Sequence, residues 1–238
     1  MGGTALRECR LLIWPLVGVY LLLGGGCDKS RSLSPVEEKA LPIINKVVVA
    51  GFKAARSTGE KPGVVHDPLT GAVFAAEPVS ASVVQEMNES LFQNLVAQER
   101  YQLISPNQAK GVLSGIAGLD ASMEKRPIEI LQKVGKRFGA DAVLGGYIYR
   151  WRQREGGDYA VKRPASVAFG LHLIRPGNGA TIWKGRFDKT QRSLSENIFD
   201  FQTFIEGQGR WMTADKLATL GLQKLVKEMS SAIRESAR

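Results

Sequence analysis

Cys27 follows the apolar run LLIWPLVGVYLLL at residues 11–23 and the glycines at 24–26, so a thiol stands directly behind small residues that a signal peptidase cleft accommodates. Cys9, the other cysteine, lies in the same leading segment, which excludes a disulfide-stapled scaffold and a cysteine-based structural zinc site in the body of the chain. His66 and Asp67 sit together in a Pro- and Gly-rich stretch with Glu77 downstream. These are the residue types of a metal or acid/base site, but the pair reads more simply as an exposed loop histidine beside a turn aspartate. His172, among apolar strand residues, reads as a hydrogen-bonded core or edge side chain. With two histidines in all, a His-rich catalytic metal centre is not expected, and no cofactor is implied. The sequence holds no GxSxG, P-loop, HExxH or dinucleotide pattern; Gly145 and Gly146 fall inside a strand pattern, where they suit close packing or a bulge.

A second grouping is the run YIYRWRQR at residues 147–154. Strand side chains alternate with period two, which predicts Arg150, Arg152 and Arg154 on one face and Tyr147, Tyr149 and Trp151 on the other. Arg150, Trp151, Arg152 and Arg154 are therefore the candidate partner surface, suited to anionic lipid headgroups, glycan polymers or an acidic protein face. A solvated strand end over an ordinary packed face is the plainer reading. Lys133, Lys136 and Arg137, on the outer face of a helix, read as a solvated surface.

The elements that must position these residues follow from periodicity. The 238 residues are 44% hydrophobic and 23% charged with a net charge of +9, which excludes a disordered tail and a polytopic membrane protein. Residues 43–52 read as a buried strand, and 53–78, rich in Pro and Gly, as a functional loop, a hairpin or a flap. Ser82 and Gln85 have capping-box spacing before a helix carrying Val84, Met87, Leu91 and Leu95 through Arg100. A short strand at 101–105, a small helix at 106–118 and a helix from Pro127 to Gly139 follow. Three strands come next, at 141–155, 166–175 and 181–189, the last two joined by a PGNG turn. Residues 194–212 form a second irregular insert, and a long helix from Thr213 presents Leu217, Leu220, Leu225, Met229 and Ile233 on one face. The order predicts an α/β (α+β) fold: a small mixed sheet of four to five strands with helices packed on it and a long C-terminal helix.

The thirteen residues of the apolar run would rise about 20 Å as a helix, short of the ~30 Å hydrocarbon core, and fit a secretory segment better than a spanning one. LLLGGGCDKS resembles a bacterial lipoprotein signal, with Leu23 one place further from the cysteine than the usual pattern. That resemblance implies cleavage between Gly26 and Cys27 and acyl chains on Cys27; an uncleaved anchor is the alternative. The division is then a signal peptide at 1–26, a lipidated N-terminus and tether at 27–42, and one α/β envelope domain at 43–238. Cleavage removes Arg7, Glu8 and Arg10 and leaves a charge of +8. Gly2 is followed by Leu6 where N-myristoylation needs Ser or Thr. Asp28 leaves the choice of inner or outer membrane open.

The strand KVVVAGF at 46–52 and the step RFGADAVLGGYI at 137–148, where a helix feeds a strand, resemble a family of bacterial envelope lipoproteins with a fold like the N-terminal domain of the Tol translocation protein. The family includes the curli secretion channel lipoprotein and lipoprotein activators of peptidoglycan synthases. The resemblance implies a non-catalytic accessory or assembly factor of the cell envelope, facing the periplasm and binding other envelope proteins. A homo-oligomeric secretion-channel subunit is the second reading, although the prolines and charges of 53–78 interrupt the alternation that a membrane hairpin requires. Export argues against nucleic acid as a partner.

Overall fold

β1 (Lys46–Ala54) forms around Val47, Val48 and Val49, β-branched residues suited to a pleated surface covered on both sides. In chain order it is followed by a hairpin of β2 (Gly63–His66) and β3 (Val73–Ala76), then α1 (Ala81–Val96), β4 (Gln102–Ile104), α2 (Pro106–Leu119) and α3 (Pro127–Phe138). β5 (Ala142–Arg152), a small hairpin of β6 (Glu155–Gly156) and β7 (Val161–Arg163), β8 (Ser166–Ile174), β9 (Thr181–Thr190) and α4 (Ala214–Glu235) complete the order. The computed structural model describes residues 43–119, 126–157, 161–191 and 211–235. Gly26, Cys27, the tether and most of the insert at 194–212 lie outside the described residues.

Five strands form one mixed sheet in the order β4-β1-β5-β8-β9; β1 runs parallel to β4 and β5, while β8 and β9 are antiparallel to their neighbours. The architecture is the α+β layer expected from the element order. One sheet face is covered by α1 and α4, whose Met87, Leu91, Leu217 and Leu225 pack into a core with Leu144 and Phe169. The opposite face is shared. Ile130 and Val134 of α3 close one end over Val48, Val143 and Ile174, and the β2–β3 hairpin lays Phe74 and Ala76 over Tyr149 and Ala168. The stretch at 53–78 is thus a docked hairpin.

α1 begins two residues before the expected capping box. Ser80 is the N-cap and accepts from the Val83 N–H at 3.4 Å, so Ser82 and Gln85 lie inside the helix. The reason lies in the flanking packing. Val79, just before the cap, donates its N–H to the Arg56 carbonyl and is buried in the same core that Val84 packs against, which holds the chain at the helix entrance as a hydrophobic staple does. The helix also stops at Val96, short of Arg100, and Glu99 takes a φ of +49°.

α3 stops where the sequence supplies glycine. Gly139 has φ +57°, and the bonds from Gly139 N–H to the Lys136 carbonyl and from Ala140 N–H to the Gly135 carbonyl make a Schellman close. Gly139→Ala is expected to cost about 1 kcal/mol, because a Cβ is strained in the left-handed region, and its urea midpoint should fall while the slope stays unchanged.

Candidate functional site

A bulge in β5 decides where the Arg and aromatic residues point. Ile148 stands opposite Phe169 and Arg150 opposite Ala168, leaving Tyr149 as the extra residue. The inserted residue shifts the phase of the alternation, so Tyr149 and Arg150 both lie under the hairpin while Trp151 packs against the α1/α4 core. The expected split of arginines from aromatics therefore fails. Arg150 is 8% exposed; it donates to Ser166 Oγ at 2.7 Å, to the Ala75 carbonyl at 3.1 Å and to Asp188 at 2.5 Å. It is a buried clamp between the sheet and β3, and it is removed from the candidate partner surface. Arg152, half-buried, pairs with Glu77 at 3.5 Å, and Arg154 donates to the Trp211 carbonyl at 2.5 Å. Lys136 and Arg137 are exposed on α3, as expected.

Of the pair, His66 is exposed as expected but closes β2 instead of lying in a loop, and Asp67 stands at the hairpin turn as expected but is buried. His66 is exposed and lies 3.4 Å from the Gly71 carbonyl. Asp67 is 2% exposed. Its carboxylate accepts from the Tyr149 hydroxyl, from His172 Nε2 at 2.9 Å and from the N–H groups of Leu69 and Thr70, both at 2.8 Å. His172 is the hydrogen-bonded core side chain expected, and its buried Nδ1 has no partner among the described residues. Burial alone pushes the Asp67 carboxyl up, but the hydrogen bonds from His172, Tyr149 and Leu69 outweigh it and hold the group well below the usual carboxylate range. Burial, and then the Asp67 charge, push the Tyr147 phenol up to about 12 and Tyr149 higher still.

Chemically this cluster is a latch. A carboxylate whose oxygens already face four donors, closed from water, has no lone pair left for a substrate proton. What it does is tie the hairpin turn to β5 and β8, together with the Phe74–Tyr149 stack at 3.7 Å and the Arg186 guanidinium 4.1 Å from the Phe74 ring centroid. Sequence reasoning did not find it, since Asp67 is 82 residues from Tyr149 and 105 from His172. The one signal was the placing of Tyr149 and His172 within apolar strand patterns, where each polar group needs a partner.

Beside the latch lies a shallow open cleft. Leu69 of the hairpin turn, Leu113 of α2 and Leu131 of α3 line it, with Lys53, Tyr147 and the Gly145–Gly146 backbone. It suits an apolar side chain of a partner next to an acidic one. Among the described residues no group of three or more His, Cys, Asp or Glu is placed to hold a metal ion, and no helix is long and apolar enough to cross a membrane.

No protein-family model matches the chain, and no curated protein matches it in sequence. Solved structures similar to it include a PelC L103M dodecamer from Paraburkholderia phytofirmans, at 17% identity over 77% of this chain and 86% of that one, with a TM-score of 0.42. Lipoprotein GNA1162 from Neisseria meningitidis is 14% identical over 67% of this chain and 90% of that one, TM-score 0.41. The LpoB C-terminal domain from Salmonella enterica is 16% identical over 62% and 84%, TM-score 0.35. One of these three, GNA1162, is a lipoprotein. These likenesses assign neither a partner nor an activity.

Proposed function

We propose that the chain is a lipid-anchored protein of the bacterial cell envelope that faces the periplasm and works as a non-catalytic accessory factor by binding other envelope proteins. The observation that carries this reading is Cys27, placed behind a short apolar run and three glycines and ahead of a polar tether that leads into the folded domain. Two or three acyl chains there would hold the domain stably at a membrane, where one would not. The closed state of the Asp67–His172–Tyr149 cluster supports a binding role over hydrolytic chemistry, and the cleft between Leu69 and Leu131 offers a partner a small apolar site.

Intact mass of the protein extracted from membranes tests the anchor. The expected species begins at Cys27 and carries added acyl mass, and Cys27→Ser is expected to abolish both processing and acylation. An unmodified wild-type chain retaining residues 1–26 would overturn the reading in favour of an uncleaved anchor.

A further inference from the structure

The two ends of the sheet differ in chemistry, and the difference follows from register. Val47 pairs with Ala142 and Val143 with Ile174, so the residues just outside those positions gather at one end of the domain. That end holds Lys46, the last turn of α3 with Lys136 and Arg137, and Arg175 at the β8–β9 turn. It also holds two of the exposed large apolar residues, Ile43 at 74% and Val96 at 46% exposure. The last turn of α4 arrives there too, since Arg100 donates to the Ser230 carbonyl, and it brings Arg234 together with Glu235. Glu99 is acidic at this end, and Asp141 is engaged in accepting the N–H groups of Asn45 and Lys46. At the opposite end arginines are matched by carboxylates: Arg56 with Glu60, Arg152 with Glu77 and Arg163 with Glu155.

The basic and apolar end is also where the chain comes in from Cys27. Ile43 is the first described residue, and it stands sixteen residues after Cys27, a distance the chain spans with at most about 55 Å. A tether of that length keeps this end within reach of the bilayer that holds the acyl chains. We infer that this end of the domain, built on Lys46, Lys136, Arg137 and Arg175 around Ile43 and Val96, docks on anionic lipid headgroups. Each basic side chain near such a surface adds attraction, and exposed apolar residues seat in the boundary region. The opposite end, with the hairpin, is thereby left to face partners away from the membrane.

The inference rests on the anchored reading above, and the two can fail separately. The test uses the full-length protein extracted from membranes and reconstituted in phosphatidylcholine vesicles with or without phosphatidylglycerol. A fluorophore is placed on Ala180→Cys at the docking end or on Thr58→Cys at the far end, both exposed positions, and quenching by spin-labelled headgroups is read. The expected result is strong quenching at Ala180→Cys that requires phosphatidylglycerol and is relieved by about 1 M salt, where the screening length is about 3 Å, with little at Thr58→Cys. Adding Lys136→Gln and Arg137→Gln should lower the docked-to-free ratio roughly thirty-fold. Equal quenching at the two positions, or quenching that ignores phosphatidylglycerol, would overturn the inference and leave the basic end to an acidic protein. An unacylated mass with Ala180→Cys still quenched would sink acylation alone.

Discussion

Asp67→Asn is expected to destabilise the domain by about 3 kcal/mol, the upper end of the range for leaving a buried donor unsatisfied. The substitution keeps the size and removes the charge. An amide has one acceptor oxygen and an NH2 donor, so it cannot serve the Tyr149 hydroxyl, His172 Nε2 and the Leu69 and Thr70 N–H groups together. The Tyr149 O–H and a His172 N–H are then left without their buried acceptor. Equilibrium urea unfolding measures the loss, and an unchanged midpoint in the variant would show that the latch contributes nothing.

The same group sets an acid dependence whose sign follows from its shift. The Asp67 carboxyl is lowered in the folded state from its ordinary value of 3.8, so the folded state holds the proton less tightly than the unfolded one. Its contribution is present in full above about pH 4 and is lost as pH falls below that value. Wild-type stability should therefore drop steeply on acidification below about pH 4, and the Asp67→Asn curve should be flatter across the same window. A parallel pair of curves would contradict the assignment.

Gly146→Ala is expected to cost about 3 kcal/mol, the upper part of the range for overpacking. A Cβ at Gly146 would meet the Gly170 carbonyl oxygen of the neighbouring strand and come within 2.9 Å of the Phe52 ring. Backbone in the middle of a five-stranded sheet cannot give way without breaking the β5–β8 ladder. The adjacent residue behaves oppositely: a Cβ at Gly145 would lie 3.4 Å from the Leu131 side chain and 3.8 Å from Ala50, which is ordinary contact. Gly145→Ala is expected to raise stability by about 0.5 kcal/mol by restricting the unfolded chain. Urea midpoints for the two variants separate a requirement for glycine from a mere tolerance of it.

Those two glycines show how far local pattern carries. Both read as close packing or a bulge within a strand, which is the environment found, yet nothing local distinguishes the one that must be glycine. The distinction depends on Gly170 and Phe52, which approach from β8 and β1. The arginine run fails for a similar reason. Period two was the right rule for β5, but the extra residue at Tyr149 is set by pairing with Phe169 and Ala168 on another strand, and it put Arg150 on the same face as Tyr149, where the hairpin covers both.

Much of the scaffold is legible in the chain alone: the order of the five sheet strands and the helices between them, the buried stripes of α1, α3 and α4 and the glycine close of α3 follow from residue types and their spacing. Each rests on neighbours within one or two turns, where side-chain periodicity and backbone preference act directly. Which titratable groups meet is settled at a different level. Asp67 became a buried acceptor because the hairpin folds back over β5 and β8, bringing donors from distant strands to a turn whose composition looked like that of any exposed loop. Burial and long-range hydrogen bonding are properties of the assembled layers, so they cannot be read from the spacing of residues along one segment.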